Sequence, residues 1–196
     1  MTKEIFWILI ASISIITINC GPEEVEEPAT IAVATLYRIS NVTESTYLMS
    51  DEEIGAATFA EKNGIVNLRI NVIGLTPNNR HAVHIHEGSC ESPGSHWNQG
   101  TTASFCREPN LSVSDIWAKP KAGDVGNIRT DANGAGTFEI STTFWRLGSS
   151  DNFDITGLSI VIHENEEDFA QECFQSHSHI HDNPKIACGT IDLITP

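Results

Sequence analysis

Basic residues are scarce in this chain. Eleven Lys and Arg stand against 26 Asp and Glu in 196 residues, a formal net charge of −15. Phosphate binding needs clustered cations, so nucleic acid is excluded as a partner. Long apolar runs are equally scarce. Ile5 to Ile18 is apolar apart from small hydroxyl residues and is too short to span a bilayer comfortably. Neither an internal repeat nor a glycine-rich nucleotide loop occurs. What remains is one domain of ordinary size with enough chain for a hydrophobic core.

The first residues read as an export signal. Lys3 gives a weakly basic start, and the apolar run ends at Cys20-Gly21, followed by the acidic, Pro-flanked Pro22–Pro28. A cysteine directly after a short signal resembles a bacterial lipoprotein, with residues 1–20 as signal, Cys20 as lipidation site and 21–29 as tether to a domain over 30–196. The expected location is exported, periplasmic or at the cell surface, held to the membrane through the lipid. An ordinary secretory signal or an uncleaved anchor is the alternative. Setting Cys20 aside leaves Cys90, Cys106, Cys173 and Cys188. In an oxidising compartment these suggest two bridges, with three connectivities open.

Short β-branched and aliphatic runs punctuated by Gly, Asn, Asp and Pro predict an all-β protein. Strands are expected over Thr30–Ile39, Gly55–Glu61, Ile65–Ile73, Arg80–Glu87, Gly157–His163 and Ile186–Leu193, with a hairpin turn at Asn63-Gly64. Asn127–Asp131 and Gly136–Thr142 read as a second hairpin. Two long segments lack periodicity, one between Cys90 and Asp124 and one from Glu164 to Lys185. Loops of that length in a small domain are functional or tied down. About eight strands and two long loops suit a β-sandwich or flattened barrel.

The chemistry concentrates in Arg80–Glu87. His84 and His86 are two apart on a strand, so both rings leave one face and can share a metal, whereas His81 points to the other face. Downstream stand His96, the run Gly123-Asp124-Val125-Gly126-Asn127, His163 in Val-Ile-His-Glu, and Cys188 in Ala-Cys-Gly-Thr-Ile. In that order these motifs resemble the copper–zinc superoxide dismutase family over roughly Thr30 to Leu193, which implies a Greek-key β-sandwich.

The resemblance implies copper ligands His84, His86, His96 and His163, with His96 as the copper–zinc bridge and proton carrier. It gives His81 a structural role and makes Cys90–Cys188 a disulfide, leaving Cys106 and Cys173 for a bridge between the long loops. Superoxide is the implied substrate, dismuted to oxygen and hydrogen peroxide. Zinc is doubtful. No histidine lies between Trp97 and Ile162, and Lys121 stands where the family has a zinc-binding histidine. That leaves His96 and Asp124 of four zinc ligands, too few for a closed tetrahedral site. A copper-only member is expected, with Asp124 retained to hold its loop or a copper ligand.

The tract His177-Ser178-His179-Ile180-His181 could fill the zinc positions, gather copper, or be solvated loop. Lys185 stands where the family has an anion-guiding arginine. It keeps the charge and loses the planar fork. Lys119 and Lys121 either add positive potential near the mouth or are solvated surface lysines. The competing function is a copper-binding or copper-trafficking protein on the same fold with little dismutase activity. The family dimerises in different ways, and no apolar patch in the sequence decides the oligomeric state.

Overall fold

Nine strands and no helix make up the residues described by the computed structural model, which are 29–42, 46–100, 121–167 and 183–194. They are β1 (Thr30–Val42), β2 (Tyr47–Lys62), β3 (Ile65–Val72), β4 (Arg80–His86), β5 (Asp124–Arg129), β6 (Gly136–Thr142), β7 (Ser159–His163), β8 (Lys185–Thr190) and β9 (Asp192–Leu193). Neighbours pair antiparallel in the order β5-β4-β7-β8-β1-β2-β3-β6, with β9 added to β1. A bridge between Thr130 and Gly136 joins the two ends of that path, so the sheet curls into a nearly closed barrel. The expected all-β class and eight-stranded flattened barrel are what forms.

Local chemistry explains much of this. β3 alternates exposed and buried residues along its whole length, as its apolar–polar alternation predicts. Asn63 and Gly64 both adopt positive φ, 53° and 73°, which is the twist-matched hairpin turn that Asn-Gly favours. Inside the barrel Phe59 and Trp145 meet edge to face with centroids 6.1 Å apart. The Trp145 indole N–H donates to the Ala122 carbonyl at 2.9 Å, so the buried ring leaves no polar cost behind.

Three expectations need correction. The proposed Asn127–Thr142 hairpin turns as expected, with the Asp131 carboxylate accepting from Asn133 and Ala135 N–H at 2.8 and 2.9 Å. The flanking strands then part: Ile128 pairs with His81 on β4, and Phe138 with Ile70 on β3. A turn signal says that the chain reverses, not which neighbour each arm takes. β1 and β2 both run well past the expected ends. Register shifts after Leu36, Tyr37 and Ile39 break the alternation there, and Ser50–Glu53 is polar in a strand-disfavouring way. The last strand is split, because Ile191 turns inward and donates to the Leu158 carbonyl at 2.9 Å between β8 and β9.

The connection between β6 and β7 is organised by one carboxylate. Asp154 accepts from Gly148, Ser150 and Thr156 N–H and from the Thr156 hydroxyl at 2.7–3.0 Å. Burial by itself would raise this carboxyl, but the backbone donors of Thr156, Ser150 and Gly148 outweigh it and hold it below the usual range. A depressed carboxyl contributes stability above its unfolded pKa and loses it as pH falls through the folded value. Asp154→Asn is therefore predicted to cost about 1–2 kcal/mol at pH 7, at the modest end because the group is partly solvated. In denaturant titrations the gap between variant and wild type should close below about pH 4. A gap independent of pH would contradict the assignment.

Candidate metal centre

β4 carries the first three histidines into the barrel wall. His81, on the opposite face from its neighbours, donates from Nδ1 to the backbone carbonyl of His163 at 3.0 Å and is wholly buried. It braces β7 from behind. His84 and His86 share the other face with ring centroids 6.2 Å apart. β7 pairs alongside, Val83 with Ile162 and His86 with Ser159, and ends in His163, whose ring lies 5.0 Å from His84 and 5.7 Å from His86.

His96 reaches the cluster from a folded-back loop. Glu87 and Gly88 N–H donate to the Ser95 and Pro93 carbonyls at 3.0 and 2.8 Å, and His96 bridges to His86. The loop is then sewn to β4 and β5 at one point. Trp97 N–H donates to the Ile85 carbonyl, Ile85 N–H to Gly123 and Gly123 N–H to Trp97, all at 2.8–2.9 Å. A Cβ on Gly123 would fall 2.6 Å from the Ile85 oxygen and 2.7 Å from that of Trp97, so three backbones meet there only around glycine. The next residue, Asp124, is thereby aimed at the histidines. This is the physical content of the Gly-Asp pair.

The stacked rings of His84 and His96 lie 3.7 Å apart between centroids. One donor atom from each of His84, His96 and His163 falls within 4.8 Å of the others. His86 adjoins this group with its ring 4.8 Å from that of His96. All four rings have Nδ1 committed. His84 and His96 reach the same Asp124 Oδ1 at 2.9 and 3.0 Å. His86 Nδ1 donates to the Gly94 carbonyl at 3.1 Å and His163 Nδ1 to that of Asn183 at 2.9 Å. A carbonyl only accepts, so His86 and His163 carry their proton on Nδ1 and keep a lone pair on Nε2. Those two Nε2 atoms are buried and have no hydrogen-bond partner among the described residues. Buried imidazole lone pairs left this way suit a metal ion, and an imidazole set suits copper.

Charge on the cluster is uneven. Burial, reinforced by the neighbouring imidazoles, pushes His86 far below the usual histidine range. Burial also lowers His96 to about 4 and His163 to about 3, so these three are neutral at pH 7. Burial would lower His84 too, but hydrogen bonds to Asp124 and Glu167 outweigh it and raise the ring to about 9. Asp124 takes the opposite shift: burial would raise it, while the His84 and His96 hydrogen bonds hold it well down. Its second oxygen accepts from Lys121 N–H at 2.9 Å, so one carboxylate fixes two imidazoles and the loop leading into β5.

Glu167 is the site residue that sequence reasoning missed. Its Oε2 lies 3.0 Å from His84 Nε2, and Asn183 donates to its Oε1 at 3.3 Å. Asn127 clamps the Glu167 backbone on both sides, accepting from its N–H at 3.1 Å and donating to its carbonyl at 2.8 Å. It sits in the acidic run Glu164-Asn165-Glu166-Glu167, where nothing local separates it from its solvated neighbours.

Of the other sequence candidates, Cys90 and Cys188 form a disulfide with Cα atoms 5.6 Å apart. Lys185 opens β8 directly across from His163. Lys121 enters the site through its backbone. Cys20, Cys106, Lys119, Cys173, His177, His179 and His181 lie outside the described residues.

Comparison with known proteins agrees with this geometry. Residues 53–191 match the family model for copper/zinc superoxide dismutase. A Cu-Zn superoxide dismutase of Paramecium bursaria Chlorella virus 1 is 29% identical over 119 residues, which is 58% of this chain and 58% of the relative's own length. One from Aquifex aeolicus is 31% identical over 144 residues, 71% of this chain and 80% of the relative. A crystal structure of a double mutant of a SOD-like protein from Bacillus subtilis superposes with a TM-score of 0.58 at 21% identity, covering 82% of this chain and 96% of that one, a likeness of fold. With the motifs, the barrel and the family match in agreement, the chain belongs to the copper/zinc superoxide dismutase family.

Proposed function

We propose that this protein is a copper-dependent superoxide dismutase that works without zinc, exported and held to a membrane through a lipid on Cys20. The observation that carries the reading is the common use of Nδ1: every ring of the His84, His86, His96 and His163 cluster has that nitrogen held by an acceptor. Such backing orients imidazoles and raises their basicity as ligands. Copper, when bound by these four side chains, would supply the one-electron couple for the two halves of superoxide dismutation.

The chain's own groups prepare the site. His86, His96 and His163 are kept neutral, the form that ligates. Asp124 and Glu167 bring two negative charges against His84 and keep its ring protonated. His84 would therefore join the other three as a ligand only by giving up its Nε2 proton to make way for the copper cation. The His96 side chain is 15% exposed where that of His84 is 0%, so His96 is the ring that a proton from solvent reaches first. Its Nδ1 faces Asp124, which steadies the ring through a change of protonation.

Support for the absence of zinc is the donor set. Among the described residues one cluster of His, Cys, Asp or Glu has metal-holding spacing, and it is His84, His96 and His163. Asp124, the residual zinc position, is already occupied by two imidazoles and a backbone N–H. Copper-reconstituted protein is predicted to dismute superoxide, and His163→Ala to abolish this. Tight copper binding without dismutation would reassign the protein to copper handling and make His177, His179 and His181 the next residues to replace.

A further inference from the structure

The barrel surface does not hold all its cations alike. Four of its guanidinium groups lie against carboxylates: Arg38 with Glu52, Arg69 with Glu139, Arg80 with Glu166 and Arg146 with Glu61, at 2.6–3.6 Å. Lys185 is held otherwise. Its ammonium sits over the ring of Tyr47, 5.2 Å from the centroid, and no carboxylate among the described residues pairs with it. A carboxylate cancels a cation's field, whereas an aromatic face attracts the cation and leaves its charge in place.

Both partners are built into one frame. Tyr47 is the first residue of β2, in the part that runs past the strand end expected from sequence, and its N–H donates to the Glu91 carbonyl at 2.9 Å. Glu91 follows Cys90, which is bonded to Cys188, and Cys188 lies on β8 three residues beyond Lys185. The disulfide therefore ties the segment beneath Tyr47 to the strand that carries Lys185. Paired with Lys185 on the neighbouring strand β7 stands His163 of the cluster.

We propose that Tyr47 is a positioning residue that holds Lys185 at the mouth of the histidine cluster as an unneutralised cation for small anions. In a chain of net charge −15 a fixed positive charge there matters, because the summed field otherwise repels an anion. The inference rests on the dismutase reading for its substrate, superoxide. It goes beyond that reading in naming what holds the cation.

The test uses copper-loaded full-length protein and two readouts: the second-order rate with superoxide, and azide affinity followed by absorption, each over a range of ionic strength. Tyr47→Leu removes the π face and keeps apolar bulk. It is expected to lower both quantities about 3-fold and to flatten their salt dependence, with copper content unchanged. Tyr47→Phe, which restores the face, should recover the values. Lys185→Met should cost more, about 10-fold, and adding Tyr47→Leu to it should cost nothing further. Wild-type azide affinity, rate and salt slope in Tyr47→Leu would overturn the proposal, as would full additivity in the double variant. Failure of the dismutase reading looks different: no turnover by the wild type, while the azide measurements still decide the role of Tyr47.

Discussion

Replacing His163 by alanine is expected to remove dismutation, lowering the rate at least about 100-fold. Loss of a group that merely backs a metal ligand commonly costs 10–100-fold in affinity or activity, and His163 is proposed as a ligand itself. Its Nε2 has no hydrogen-bond partner among the described residues, so that nitrogen does nothing for the fold that a metal would not explain. What the metal-free protein loses is ring volume and the bond from Nδ1 to the Asn183 carbonyl. Copper titration of wild type and variant, with denaturation of both in the metal-free state, separates these effects. The metal-free variant is expected still to fold, to bind copper weakly and to have no activity. Unchanged copper affinity and turnover would contradict this.

Cys188→Ser is expected to be the most destabilising single change. The bridge to Cys90 spans 98 residues, and a closed loop of that length is worth about 4.7 kcal/mol in chain entropy. Against a typical stability of about 5–15 kcal/mol this is a third or more. Burial adds to it, because Cys90 and Cys188 pack with Val161, Ile39 and Met49 in a small cluster beside the main core. The functional cost follows from the same tie. The segment from Cys90 to Trp97 delivers His96, so its release should weaken copper binding beyond the loss in stability. Denaturant midpoints with and without reductant check this: reduction should cost wild type about 3–5 kcal/mol more than it costs the variant. A loss below about 1 kcal/mol would show that the bridge is not a main support.

How much of this was legible in the sequence depends on the range of the interaction. Two-residue periodicity put His84 and His86 on one strand face, and Asn63-Gly64 announced its turn, because both signals are local. The residues alone went no further than that pair. His96, His163 and the Cys90–Cys188 bridge entered through the order of the motifs and their resemblance to a family. Long-range partners escaped. The arms of the turn at Asp131–Gly134 go to β4 and β3, a choice made by the whole barrel. Glu167 is one acid among several until the chain folds back to place it on His84. Tyr47 lies in a stretch whose register shifts and charged neighbours hide its strand, so nothing linked it to Lys185, far along the chain.

Metal content is the first thing to measure for a four-histidine copper site that works without zinc. Purified full-length protein should be offered copper and zinc together, freed of excess metal and assayed for both by mass spectrometry. One copper and substoichiometric zinc per chain are expected, with copper lost in His163→Ala. Stoichiometric zinc alongside copper in the wild type would contradict this, and would place zinc on ligands beyond His96 and Asp124.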